Sequence, residues 1–260
     1  LSGNAIAGYS GKPLWQKLGL RGRLTVDKED PPMTYAIAPH AQPCIPVAGT
    51  DLRFPVHRIY CIGRNYAEHA REMGSEVERT NPIFFAKPAD AIVIDNDDVP
   101  YPPATSDLHH EVEMIVALAD GGRDIPVEHA LERVYAYGVG LDLTRRDLQL
   151  AAKNKGNPWD VAKGFDDSAP VSALHRVSDI GHPVHRQLRL SVNGTLRQQA
   201  DIDDMIFNVA EIIHLLSKLY ALKSGDLIFT GTPAGVAALV HGDRFHAELA
   251  GVASLEGRII

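Results

Sequence analysis

Cysteine is nearly absent from this 260-residue chain. Only Cys44 and Cys61 occur, so no disulfide framework and no paired-cysteine metal spacing can be built. A reduced, cytoplasmic setting is the simplest expectation. No run is long and apolar enough to span a bilayer, and no signal-peptide pattern opens the sequence. There is no internal repeat, low-complexity tract or heptad pattern. Positive charge is not in excess: the formal net charge is −7. Together with the lack of any basic-aromatic patch, this argues against nucleic acid or an acidic membrane as partner. What remains is ordinary for a globular enzyme: 45% hydrophobic and 23% charged residues.

Met33 is read as the natural start, which makes residues 1–32 an extension. Residues 1–53 are read as extension plus lead-in, and residues 54–260 as a compact domain. Its punctuation is strand-rich. HRIYCIG (57–63) and PIFFAKP (82–88) are short apolar runs bounded by turn residues. NYAEHAREMG between them predicts a short helix closed by Gly74. Further helices are expected from Pro126, in TRRDLQLAAKNKG and in NVAEIIHLLSKLYAL. VYAYGVGLDL (134–143) and SGDLIFTGTP predict strands, and Asn193-Gly194 a hairpin turn. The class is mixed α+β, mainly β, without the strand–helix alternation of a doubly wound sheet.

The stretch LHHEVEMIVAL (108–118) reads as one strand. Leu108, Val112, Met114, Val116 and Leu118 then share an apolar face, and His109, Glu111, Glu113, Ile115 and Ala117 the other. Two acids side by side repel unless something positive lies between them. Asp142, at the end of another apolar strand, is a third costly acid. Three converging carboxylates suit Mg²⁺, Mn²⁺ or Ca²⁺ and leave positions open for water or substrate. A lone Glu-x-Glu is more often a solvated strand face, so the motif gains meaning from its company. His69 and Glu72, three apart on the short helix, form a pair able to activate water. Lys163 lies among small and apolar residues, and TGTP (230–233) is a turn suited to a carboxylate.

In order along the chain, CIGRNYAEHAREMG, FFAKPADA, LHHEVEMIVAL, GLDLTRRDLQ, WDVAKGFDDSAPVS, VNGTLRQ and DLIFTGTPAGV resemble the fumarylacetoacetate hydrolase family over residues 54–260. Within it they are most similar to the bacterial fumarylpyruvate hydrolases. The resemblance implies a β-sandwich roll with short helices, a homodimer, and one Mg²⁺ or Mn²⁺ per subunit on Glu111, Glu113 and Asp142. It also implies a His69–Glu72 dyad and an active-site Lys163. Arg64, Tyr66, Lys87, Arg146, Asp147, Gln149 and Thr232 match positions that line or support the pocket.

The implied reaction is hydrolysis of a carbon–carbon bond in a 2,4-dioxo acid, with fumarylpyruvate giving fumarate and pyruvate in gentisate breakdown. Arg145 or Arg71 is expected to read the distal carboxylate, since a bidentate guanidinium suits it. Rival expectations are a general acylpyruvate hydrolase, an oxaloacetate decarboxylase, and a decarboxylase/isomerase of homoprotocatechuate breakdown. An isomerase or hydratase of unsaturated dioxo acids, and a non-catalytic metabolite-binding protein, rank behind these. Residues 66–80 are a candidate lid.

Overall fold

The computed structural model describes residues 34–72, 74, 79 and 82–260. The chain divides into two compact units, Leu1–Ala41 and Gln42–Ile260. Of the first, residues 34–41 are described and hold no helix or strand. Met33, residues 1–32 and part of the candidate lid (73, 75–78 and 80) lie outside the described residues.

The second unit starts with two short paired strands, β1 (Cys44–Pro46) and β2 (Arg53–Pro55). Ile45 and Val47, ahead of the expected boundary at residue 54, are buried in the core of this unit. There follow β3 (Arg58–Gly63), α1 (Ala67–Glu72), β4 (Ile83–Lys87), β5 (Ile92–Val93), β6 (Leu108–His109) and β7 (Val112–Leu118). Next come α2 (Val127–Ala130), β8 (Val134–Leu141), β9 (Thr144–Arg145), α3 (Arg146–Lys155) and α4 (Asp160–Lys163). β10 (Ala169–Pro170), β11 (His175–Arg176), α5 (Val177–Ile180), β12 (Gln187–Val192) and β13 (Thr195–Asp201) continue the chain. α6 (Val209–Leu219), β14 (Asp226–Phe229), β15 (Ala238–Leu239), β16 (Arg244–Leu249) and β17 (Ala253–Arg258) complete it.

The largest sheet has six strands in the order β11-β8-β7-β14-β3-β4. All its pairings are antiparallel except β14 with β3. A four-stranded antiparallel sheet, β13-β12-β16-β17, packs over one face. Period two explains the two cores. Tyr60, Ile62, Met114, Val116 and Ile228 point one way, into a cluster with Leu188, Leu190, Ala247, Leu249 and the apolar stripe of α6. Ile59, Cys61, Ile115, Ala117, Leu227 and Phe229 point the other way, toward Ile45, Val47, Phe54 and Val56. Strand outweighs helix and no barrel closes, as the sequence pattern indicates.

Local chemistry explains several element ends. α6 starts at a capping box, with Asn208 accepting from the Glu211 N–H and Glu211 accepting from the Asn208 N–H. Asn193 and Gly194 both adopt positive φ, 51° and 75°, and turn β12 into β13.

The single strand expected over 108–118 is instead two. β6 pairs with β9 and β15 in a separate three-stranded sheet, while β7 enters the large sheet. The break falls at His110 and Glu111. There the Glu111 carbonyl accepts from the Asp142 N–H at 2.8 Å, tying the start of β7 to the end of β8.

Candidate active site

Four chain segments meet at one end of the large sheet. β7 begins there, β8 ends there, and the turns after β3 and β14 leave the sheet there. Registry pairs Val112 with Leu141 and Glu113 with Gly140. Glu111, Glu113 and Asp142 are thereby brought together, with oxygen atoms all within 4.8 Å of one another. All three are buried, Asp142 completely.

Buried cations answer these acids. The Lys163 ammonium donates to Glu111 Oε2 at 2.8 Å, Asp142 Oδ2 at 2.6 Å and Thr144 Oγ1 at 2.7 Å. Arg146 Nη2 donates to Glu111 Oε1 at 2.6 Å. Lys87 Nζ lies 2.9 Å from Asp142 Oδ1 and donates to the carbonyls of Leu143 and Lys163. Burial works against the Lys163 charge, yet Asp142 and Glu111 outweigh it and raise its pKa. Burial likewise opposes the Glu111 charge, and Lys163 and Arg146 overcome it, holding that carboxyl well below its usual range.

Glu113 is different. It makes no ion pair among the described residues and accepts one backbone bond, from the Gly231 N–H at 2.7 Å. Burial, then the charges of Asp142 and Glu111, push its pKa well up. Gly231 is required for this contact. Its φ is +93°, and a Cβ there would lie 2.6 Å from the Asn65 Cβ.

The site fits a hard divalent cation. Its donors are oxygen only, and one acid, Glu113, lacks a cationic partner among the described residues. Glu111, Glu113 and Asp142 are the residues that could hold it.

His69 lies in the same cleft. Its Nδ1 is 3.3 Å from Glu72 Oε2, and both Glu72 oxygens accept from the Gly235 N–H at 3.2 Å. The carboxylate favours the tautomer protonated at Nδ1, leaving Nε2 as acceptor. Burial keeps the imidazole pKa below 6.5, so the ring is neutral at neutral pH.

The cleft is lined by Arg64, Arg146, Gln149 and Thr232, together with His69, Glu111, Glu113 and Lys163. Arg64 holds a left-handed backbone, φ 60°, immediately after β3. Bulky residues rarely take that conformation, which here turns the chain from the sheet into α1. Lys87 supports the floor from beneath, its side chain fully buried.

Four other expected residues sit elsewhere. Arg145 lies against the Phe165 ring at 4.4 Å, donates to the Val161 carbonyl, and does not line the cleft. Tyr66 and Arg71 line a neighbouring cleft with Gln199 and Asp204. Asp147 ties down the 105–106 loop, accepting from the Thr105 hydroxyl at 2.7 Å and the Ser106 N–H at 3.2 Å.

A model of the fumarylacetoacetate (FAA) hydrolase C-terminal region matches residues 58–260. The chain belongs to the fumarylacetoacetate hydrolase family. Within this family its structure is similar to the crystal structure of fumarylpyruvate hydrolase from Pseudomonas aeruginosa in complex with Mn²⁺ and pyruvate. The TM-score is 0.86 at 46% identity, covering 87% of this chain and 99% of that one. It is also similar to oxaloacetate tautomerase YcgM of Escherichia coli K12, 41% identical over 75% of this chain and 89% of the relative. The mitochondrial oxaloacetate tautomerase FAHD1 of Rattus norvegicus is 42% identical over 77% of this chain and 90% of its own. No helix among the described residues is long and apolar enough to cross a membrane.

Sequence reasoning overlooked two buried amides that brace this family site. Asn65 donates to the carbonyls of Phe207 and Thr230 and accepts from the Phe207 N–H. Gln198 accepts from the Val112 N–H, meets His110 Nδ1 at 2.8 Å, and donates to Thr232 Oγ1 and the Pro233 carbonyl. Gln198 was visible only as a polar residue at an inward position of β13. Phe85, Lys153 and Trp159 also line the cleft without having been singled out.

Proposed function

We propose that the chain is a divalent-cation-dependent hydrolase of 2,4-dioxo acids that cleaves fumarylpyruvate to fumarate and pyruvate. The observation that carries this reading is that His69, paired with Glu72, lines the same cleft as Glu111 and Glu113 of the acidic triad. A bound Mg²⁺ or Mn²⁺, one per chain, would supply Lewis-acid stabilisation of the charge that develops on the 2-oxo group.

The chain's own residues do the rest. His69 Nε2 takes a proton from water while Nδ1–H stays on Glu72. The water oxygen bonds to C4, the C3–C4 bond breaks, and its electron pair leaves on the pyruvyl part as an enolate. Protonation at C3 gives pyruvate, and the other product is fumarate. Arg146 and Lys163 are fixed donors that offset negative charge on oxygen. The Thr232 hydroxyl accepts from Gln198 Nε2, so its own proton is free to donate into the cleft. Homodimer assembly and action in the cytoplasm go with this reading.

The relatives named oxaloacetate tautomerase support a second reading. The same floor would hold a 2-oxo acid, and His69 would move a proton at C3 instead of activating water. His69→Ala tests the first reading. It is expected to lower kcat on fumarylpyruvate by about 100-fold or more, with Mn²⁺ affinity within about twofold of wild type. Unchanged turnover would remove His69 from the reaction.

A further inference from the structure

The assigned residues account for the reacting end of a dioxo acid and leave its far end unread. Arg145 and Arg71 face away from the cleft, as described above. Another cation occupies the cleft mouth. Arg146, Gln149 and Lys153 are spaced by three and four residues along α3, so they share one face of that helix, and all three line the cleft. Arg146 marks the acid floor through Glu111.

Lys153 is about 10 Å further along the axis, two turns at about 1.5 Å per residue. Helical side chains lean toward the N-terminus, which brings the Lys153 stem back over Gln149 toward the floor. Phe85 and Trp159, with ring centroids 6.0 Å apart, contribute aromatic surface to the same cleft.

We infer that Lys153 is a specificity residue that meets the distal carboxylate of a dianionic substrate, with α3 as the ruler. This rests on the hydrolase reading above for the position of the reacting end. An extended seven-carbon diacid spans about 7–8 Å over six bonds of about 1.5 Å, which a lysine leaning back from two turns away can meet. A four-carbon diacid spans about half that and stops near Gln149. Flat unsaturated carbons would lie in the intervening space beside Phe85 and Trp159. Lys155 also belongs to the last turn of α3 but does not line the cleft, so it serves as an internal control.

The experiment is calorimetric titration of the Mn²⁺-loaded protein with two unreactive probes, 2-oxoheptanedioate and 2-oxoheptanoate. They have equal length, and only the first carries the distal carboxylate. Wild type is expected to bind the dianion about tenfold more tightly, the size of one charge-assisted hydrogen bond at a partly open site. Lys153→Ala should reduce that preference to under about twofold, leave 2-oxoheptanoate unchanged, and be largely rescued by Lys153→Arg. Lys155→Ala should keep the preference.

A wild type without preference, or with no binding of either probe, overturns the inference. So does a Lys153→Ala variant that keeps the preference or loses both probes equally. Because binding is read, not turnover, a protein that shows the Lys153-dependent preference yet fails to cleave fumarylpyruvate would sink the hydrolase reading alone.

Discussion

Replacing Lys163 by methionine isolates the electrostatics of the floor. The ammonium is almost completely buried and bonds Glu111, Asp142 and Thr144 at 2.6–2.8 Å. Methionine keeps most of the volume and removes the charge. Without a metal, two carboxylates then lose their shared cation in a buried site. Removing one partner of a buried ion pair costs about 3–5 kcal/mol where the remaining charge is left uncompensated, and Arg146 on Glu111 and Lys87 beside Asp142 put the loss here toward the lower end.

A divalent cation on Glu111, Glu113 and Asp142 would restore positive charge to the same oxygens. The loss should therefore be about 3–5 kcal/mol in EDTA and shrink to under about 2 kcal/mol in saturating Mn²⁺. Urea unfolding of wild type and Lys163→Met under both conditions reads this directly. A loss below about 1 kcal/mol in EDTA, or an equal loss with and without Mn²⁺, would refute the shared-cation reasoning.

The raised pKa of Glu113 predicts that cation binding expels a proton from it, since a ligating carboxylate must be ionised. Calorimetry in buffers of different ionisation heat should show proton release that grows as pH falls, and Glu113→Gln should abolish it. His69 gives a pH dependence of the opposite origin. Its folded pKa is depressed below 6.5, so the unfolded chain takes up this proton first as pH falls. Its contribution to stability is intact above about pH 6.5 and is lost as pH drops from there toward the folded value. The acid limb of kcat/KM should likewise fall below pH 6.5. Glu72→Gln removes a partner that favours the protonated ring, so it should shift that limb further to acid and lower kcat about tenfold or more. A limb that stays in place would detach Glu72 from His69.

The sequence was most readable where one local rule governs. Alternation told the two faces of Val112–Leu118 apart, and the structure puts Met114 and Val116 in one core and Ile115 and Ala117 in the other. Asn193-Gly194 and Gly74, which lies beyond α1 with positive φ, follow from backbone preferences alone. An acid ending an apolar strand pointed to Asp142. Tertiary pairing was harder to see. Leu108 and His109 alternate in phase with β7 yet join another sheet, because β9 and β15 offer them partners. Adjacent arginines on one turn cannot point alike, and Arg146 took the cleft while Arg145 took Phe165. Gln198 and Asn65 brace segments far apart in sequence, beyond the reach of any local pattern.

Metal-dependent turnover of defined substrates separates a fumarylpyruvate hydrolase from an oxaloacetate enzyme. EDTA-stripped protein would be assayed spectrophotometrically on fumarylpyruvate, acetylpyruvate and oxaloacetate, with and without Mg²⁺ or Mn²⁺. Cleavage of fumarylpyruvate is expected to require the cation and to exceed turnover of the other two. Preferential conversion of oxaloacetate, or cleavage of fumarylpyruvate unaffected by stripping, would contradict the hydrolase reading.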